Sequence, residues 1–187
     1  LDITQGIKEL KMVSEIHVVA VNNEVKELLW LLQKDNNEAI EIKTINIDKQ
    51  ESQKFNYRLK DSCTPKFSLP EKYLYVPNAA IMKSGAFNLV SERYSINKLH
   101  QNSHLYTSTN LKEFPGRRFL IKRVYNFNKK ELKELKTIKK ANISTRNFPE
   151  SVANLRKKLK ITDGGDCYLF FTTDLNNNKI VIDSTKA

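Results

Sequence analysis

Apolar residues recur along the chain at two spacings, and the alternation between them predicts its elements. Ile3, Ile7, Leu10 and Met12 or Val13 fall every three to four residues, predicting an amphipathic helix over 3–13. Glu15 to Val21 (EIHVVAV) is nearly continuous in apolar residues and predicts a strand. Asn22 or Asn23 is then expected to cap a helix that buries Val25, Leu28, Leu29 and Leu32, with Trp30 at its edge. Glu38 to Ile47 alternates as a strand does, and Phe55 to Leu59 is expected beside it. Helix, strand, helix, strand is the order of the tail of an α/β domain.

Pro65 and Pro70 mark a linker, which places a boundary near Thr64. Beyond it, Tyr73 to Val76 predicts a short strand, and Pro77 with Asn78 opens a helix through Met82, which Gly85 either ends or follows as a point of close approach for another element. A helix over 87–94 and a strand around 104–107 complete a small α+β unit. Pro115 and Gly116 punctuate the next boundary. A strand over 118–127 leads into a helix over 128–138 with the stripe Leu132, Leu135 and Ile138. Pro149 and Glu150 suit a first helical turn, so a helix is expected from near Phe148, burying Val152, Leu155 and Leu159. DGGD (163–166) is a tight turn, Tyr168 to Phe171 a buried strand, and Asn176 to Asn178 a hairpin turn into a last strand over 179–183. The chain thus divides into 1–63, 64–114 and 115–187.

Charge separates these segments. Residues 1–63 carry 9 Lys+Arg against 11 Asp+Glu, residues 64–114 carry 6 against 3, and residues 115–187 carry 17 against 7. Nearly all of the net +11 lies in the last third, and a field of one sign attracts polyanions, so nucleic acid is the leading partner class. No apolar run is long enough to span a bilayer, and no secretory leader opens the chain, so a cytoplasmic location with reduced Cys63 and Cys167 is expected.

Catalytic chemistry is sparse. The glycines (Gly6, Gly85, Gly116, Gly164 and Gly165) form no phosphate-cradling or dinucleotide-binding loop, and no nucleophile elbow or paired C-x-x-C occurs. His17 sits in an apolar strand, where a packed or edge role is expected, and His100 and His104 straddle a turn, so no metal site is expected. Asp163 and Asp166 flank a turn, and nothing in the sequence places them in a cleft as an acid/base pair.

The run RNFP, LRKKLKI, DGGD and YLFFTT resembles the THUMP-like domain that closes a family of bacterial class I S-adenosylmethionine-dependent methyltransferases. YLYVPNAAIMKSGAF and KLHQNSHLYTS are similar to the ferredoxin-like domain that precedes it there, and LDI with EIHVVAVNNEVKELLWLL resembles the end of the methyltransferase domain. The resemblance implies a mixed α+β and α/β fold: the tail of a doubly wound Rossmann-like sheet (1–63), a small ferredoxin-like domain (64–114) and a basic THUMP-like domain (115–187). It implies a piece of a longer protein, consistent with a start at Leu1 without Met. That piece would lack the S-adenosylmethionine-binding half, hold no cofactor or catalytic centre of its own, and bind RNA. The expected nucleic-acid contacts are Arg117, Arg118, Lys139, Lys140, Arg146, Asn147, Arg156, Lys157 and Lys158. Arg146, Arg156 and Lys157 are expected on one surface. The alternative is a non-catalytic module that docks an acidic protein partner.

Overall fold

The computed structural model describes residues 2–35, 38–49 and 51–187; of the LDI run, Leu1 lies outside them. The chain forms two compact units: 1–64 with 77–93, and 65–76 with 94–187.

The first unit opens with α1 (Ile3–Glu9), capped by the Asp2 carboxylate, which accepts from Gln5 N–H at 2.7 Å. The helix is shorter than its periodicity suggests: Met12 adopts φ 62° and Val13 already belongs to β1 (Val13–Val21). The larger difference follows. Asn22 and Asn23 do not cap a helix; both take left-handed φ (50° and 63°), turning the chain directly into β2 (Glu24–Leu32). Positive φ at both central residues is what a two-residue hairpin needs to match strand twist, and Asn tolerates it. Val21 accordingly faces Glu24. In the hairpin Leu28 and Trp30 pair with Val18 and Ile16, while Leu29 and Leu31 turn outward and stay half exposed. The helical spacing of Val25, Leu28, Leu29 and Leu32 is thus overridden by cross-strand pairing.

β3 (Glu41–Ile47) runs parallel to β1, and β4 (Ser52–Arg58) antiparallel to β3, giving the order β2-β1-β3-β4. Ile16, Val18, Ala20 and Ile42 are buried on one face, against which α2 packs. On the other face Glu15 holds His17 at 2.6 Å and Lys43 at 2.8 Å, so His17 is a hydrogen-bonded residue on the outer face of a central strand.

β5 (Tyr73–Pro77) begins the second unit's sheet. α2 (Ala79–Ser84) and α3 (Phe87–Arg93) belong to the first unit. Asn78 caps α2 by accepting from Ile81 N–H at 3.0 Å, and Gly85 at φ 80° ends it.

The second unit adds β6 (Asn97–Lys98), β7 (Tyr106–Ser108), β8 (Gly116–Asn126), α4 (Lys129–Leu135), β9 (Asn142–Arg146), α5 (Val152–Leu159), β10 (Tyr168–Thr173) and β11 (Lys179–Lys186). They form one seven-stranded sheet, in the order β6-β7-β5-β8-β11-β10-β9, with β9 parallel to β10. Strand β9, hidden in a basic polar stretch, has too few apolar residues to announce itself; Ile143 alone is deeply buried. Pro149 and Glu150 precede α5, whose cap is Ser151, accepting from Asn154 N–H at 3.2 Å. Among the described residues no helix is long and apolar enough to cross a membrane.

Two cores sandwich this sheet. One holds Leu135, Leu155, Leu159, Ile143, Leu169, Phe171 and Val181, under α4 and α5. The other holds Leu74, Leu99, Leu105, Phe119, Phe170, Ile180 and Ile182 on the opposite side. Alternation along β10 sends Leu169 and Phe171 to the first, Phe170 to the second.

Candidate nucleic-acid interface

The basic residues of the second unit are spread over both sides of its sheet. On the helix side, Lys129 and Lys133 of α4, Lys136 at its C-terminal cap and Lys158 of α5 surround a groove of about 250 Å³ floored by Leu132 and Leu159. Lys158 is held by Glu150 at 2.8 Å and lies 4.8 Å over the Phe127 ring. Its neighbour Lys157 is exposed and makes no ion pair among the described residues. The three basic residues in the last turn of α5 also face the negative end of its dipole.

Arg156 has a structural task. One guanidinium nitrogen donates to the carbonyls of Ala141 (3.2 Å) and Ile161 (3.4 Å), and the other to Asp163 Oδ1. It thereby ties α5 to the start of β9 and to the DGGD turn. The expected single surface of Arg146, Arg156 and Lys157 does not form: Arg146 ends β9, whereas the Arg156 guanidinium sits at Ala141, just before that strand begins. Five residues of strand extend over roughly 16 Å, and α5 packs on the opposite face from Arg146.

Lys139 and Lys140 flank the same turn. The Lys139 carbonyl accepts from Thr162 N–H and Oγ1, and the Lys140 stem lies over the glycine pair. Gly164 and Gly165, at φ 97° and 79°, let that stem approach; a Cβ on Gly164 would stand 2.9 Å from Lys140 Cε. Arg118 pairs with Glu113 at 2.8 Å, and Arg117 is exposed with its guanidinium 5.8 Å above the Phe119 ring.

Around Arg146 the sequence gives least warning. Asn147, at φ 51°, donates from Nδ2 to His100 Nδ1 (3.0 Å), which also accepts from Asn102 N–H (3.1 Å). With Nδ1 accepting, the imidazole carries its proton on Nε2 and donates to Asn177 Oδ1 at 3.1 Å. The Asn147 carbonyl accepts from Thr173 Oγ1 at 2.6 Å, and Thr173 accepts from Lys179 Nζ at 2.6 Å. Three segments 26 to 77 residues apart thus fix the RNFP turn, a relationship no linear spacing encodes.

Burial, then the Arg117 charge, holds the Arg146 guanidinium below its ordinary proton affinity. Burial, then the charges of Lys98 and Arg146, pushes His104 down to about 4. Lys98 is 3% exposed, with Nζ donating to the Gln101 carbonyl at 3.3 Å. These four basic groups share one region. Among the described residues no group of acidic, His or Cys side chains could hold a metal ion.

Residues 73–115 match the family model of a ferredoxin-like domain, and residues 116–184 that of a THUMP domain-like family. The first match includes α2 and α3. The fold is similar to the crystal structure of a putative methyltransferase from Porphyromonas gingivalis W83, at 37% identity and a TM-score of 0.88. The alignment covers 97% of this chain and 47% of that one, so the chain spans about half the length of the protein that it matches. No curated protein matches the chain.

Proposed function

We propose that this chain is the RNA-holding part of a methyltransferase-like protein, composed of the segments 1–63, 64–114 and 115–187. The observation that carries this reading is a coincidence of position: the THUMP-domain-like match falls on the segment with 17 Lys+Arg against 7 Asp+Glu. Exposed Lys157, with the lysines of α4, would hold backbone phosphates. Such contacts position a nucleic acid without reading its sequence. S-adenosylmethionine is the proposed cofactor of the longer protein and the cytoplasm its proposed location. The five glycines here supply no cofactor-cradling turn, and no step of methyl transfer is assigned to these residues.

A salt titration of the full chain on a structured RNA tests this. With about five phosphates contacted, log affinity falls against log salt with a slope of roughly −4. A flat salt dependence overturns the reading. The groove over Leu132 and Leu159 favours a second one, in which an acidic protein seats an apolar side chain between the lysines of α4 and α5. That complex would keep its affinity in salt through apolar contact.

A further inference from the structure

We propose that Arg146 and Arg117, on the side of the second unit's sheet opposite α4 and α5, form an inner site for a phosphate group carrying two negative charges. The floor is aromatic. Phe119 meets Phe170 edge-on at 4.9 Å between ring centroids, and Arg117 lies over Phe119. Phe170 pairs in register with Ser144, and two residues further along the same face Thr172 pairs with Arg146. The guanidiniums therefore stand at two sides of one aromatic patch. The depression of Arg146 by Arg117 agrees with that proximity.

The missing element is negative charge. Arg146 is partly buried, and its guanidinium makes no hydrogen bond or ion pair among the described residues. Every other partly buried arginine of this unit has an acidic partner: Arg118 has Glu113, and Arg156 has Asp163. Withdrawing a cation from water without a counter-charge is costly, and an anion supplied from solution would offset it. Beside Arg146 in register, Thr172 Oγ1 is wholly buried with no hydrogen-bond partner among the described residues. The Lys98 ammonium, whose charge acts on His104 together with that of Arg146, adds positive potential.

The charge count selects the ligand. A phosphodiester carries one negative charge, whereas a phosphomonoester carries about −1.5 to −2 near neutral pH, enough to balance two guanidiniums, and its three oxygens suit their forked donors. This goes beyond the RNA reading and does not need it, since the end of an RNA and a small phosphorylated molecule offer the same group.

The test uses the full chain with inorganic phosphate at constant ionic strength, balanced by chloride, reading the melting temperature and phosphorus NMR line width. Phosphate is expected to raise the melting temperature and broaden the resonance. R146Q should abolish both effects, R117Q should weaken phosphate binding at least tenfold, and K83Q, at an exposed lysine of the first unit, should leave it unchanged. Equal responses from wild type and R146Q, or none from wild type, overturn the proposal. If R146Q does not fold, exposed Arg117 decides: undiminished binding by R117Q overturns it. A second arm compares one short RNA with and without a 5′-phosphate. A tenfold preference for the phosphorylated form, lost in R146Q, identifies an RNA end as the source; no preference while inorganic phosphate binds identifies a small phosphate. Failure of wild type to bind either RNA while binding phosphate sinks the RNA reading and sustains this one.

Discussion

Arg156 reaches across the DGGD turn to Asp163, and in doing so its guanidinium also takes up two backbone carbonyls, of Ala141 and Ile161. Its side chain is 23% exposed against 80% for Asp163, so the backbone contacts are the shielded part of the arrangement. Arg156→Ala should lower stability by about 1–3 kcal/mol, the cost of leaving buried acceptors unpaired. Asp163→Asn should cost less, since an exposed pair contributes about 0–1 kcal/mol. Denaturant melts of the two variants check the order; a larger loss for Asp163→Asn contradicts it.

Gly6 sits in α1 because the Trp30 ring occupies the space a side chain would need. A Cβ there would lie 2.2 Å from Trp30 Cη2. Although alanine is the better helix former, Gly6→Ala should destabilise the chain by about 1–3 kcal/mol, as overpacking does. The companion change Trp30→Leu should make Gly6→Ala less costly, and a double-mutant cycle with no coupling would count against the contact.

His104 gives stability a pH dependence with a definite sign. Its folded value of about 4 lies below the ordinary 6.5, so between these the unfolded chain binds a proton that the folded chain refuses. Its contribution is present above about pH 6.5, is lost as pH falls toward 4, and is constant below that. The loss should be on the order of 1–2 kcal/mol, allowing for solvent screening of a partly exposed ring. Melts of wild type and His104→Gln between pH 7 and 4 should converge toward acid; parallel curves would falsify the assignment.

Cys167 should resist alkylation in the folded chain. Burial first, and then the Asp183 carboxylate to which Sγ donates at 3.3 Å, pushes its thiol up to about 12, leaving little thiolate at pH 8. Mass-spectrometric labelling should show Cys167 modified at least tenfold more slowly than in denaturant. Asp183→Asn should speed it, and an unchanged rate would show that Asp183 has no influence.

The elements legible in the sequence were those whose local signals agree. Asn78 and Gly85 bracket α2 because cap chemistry is local, and Asn128 begins α4 for the same reason, its side chain accepting from Glu131 N–H. Strand β2 was misread because its leucines also satisfy a helical period, and only the Asn22–Asn23 turn, with its tolerance for positive φ, carried the contrary signal. Strand β9 was unreadable because its identity comes from a partner, β10, more than twenty residues away. For the site, the basic character of 115–187 was plain. Which arginine is committed was not: Asp163 proved to belong to Arg156, and Arg146 is the residue without a carboxylate.

The order in which the chain visits its two units sets what can be separated. It passes between them at 64/65, at 76/77 and again at 93/94. No single cut therefore releases both units whole. A break after residue 64 leaves α2 and α3 on one fragment and the four-stranded sheet they belong to on the other. A break at 115/116, where one family match gives way to the next, strips β5, β6 and β7 from the seven-stranded sheet and exposes the long edge of β8. The boundaries between these sequence modules are thus not lines along which the protein can be dissected, and a transplant of the basic segment must bring β5, β6 and β7 with it.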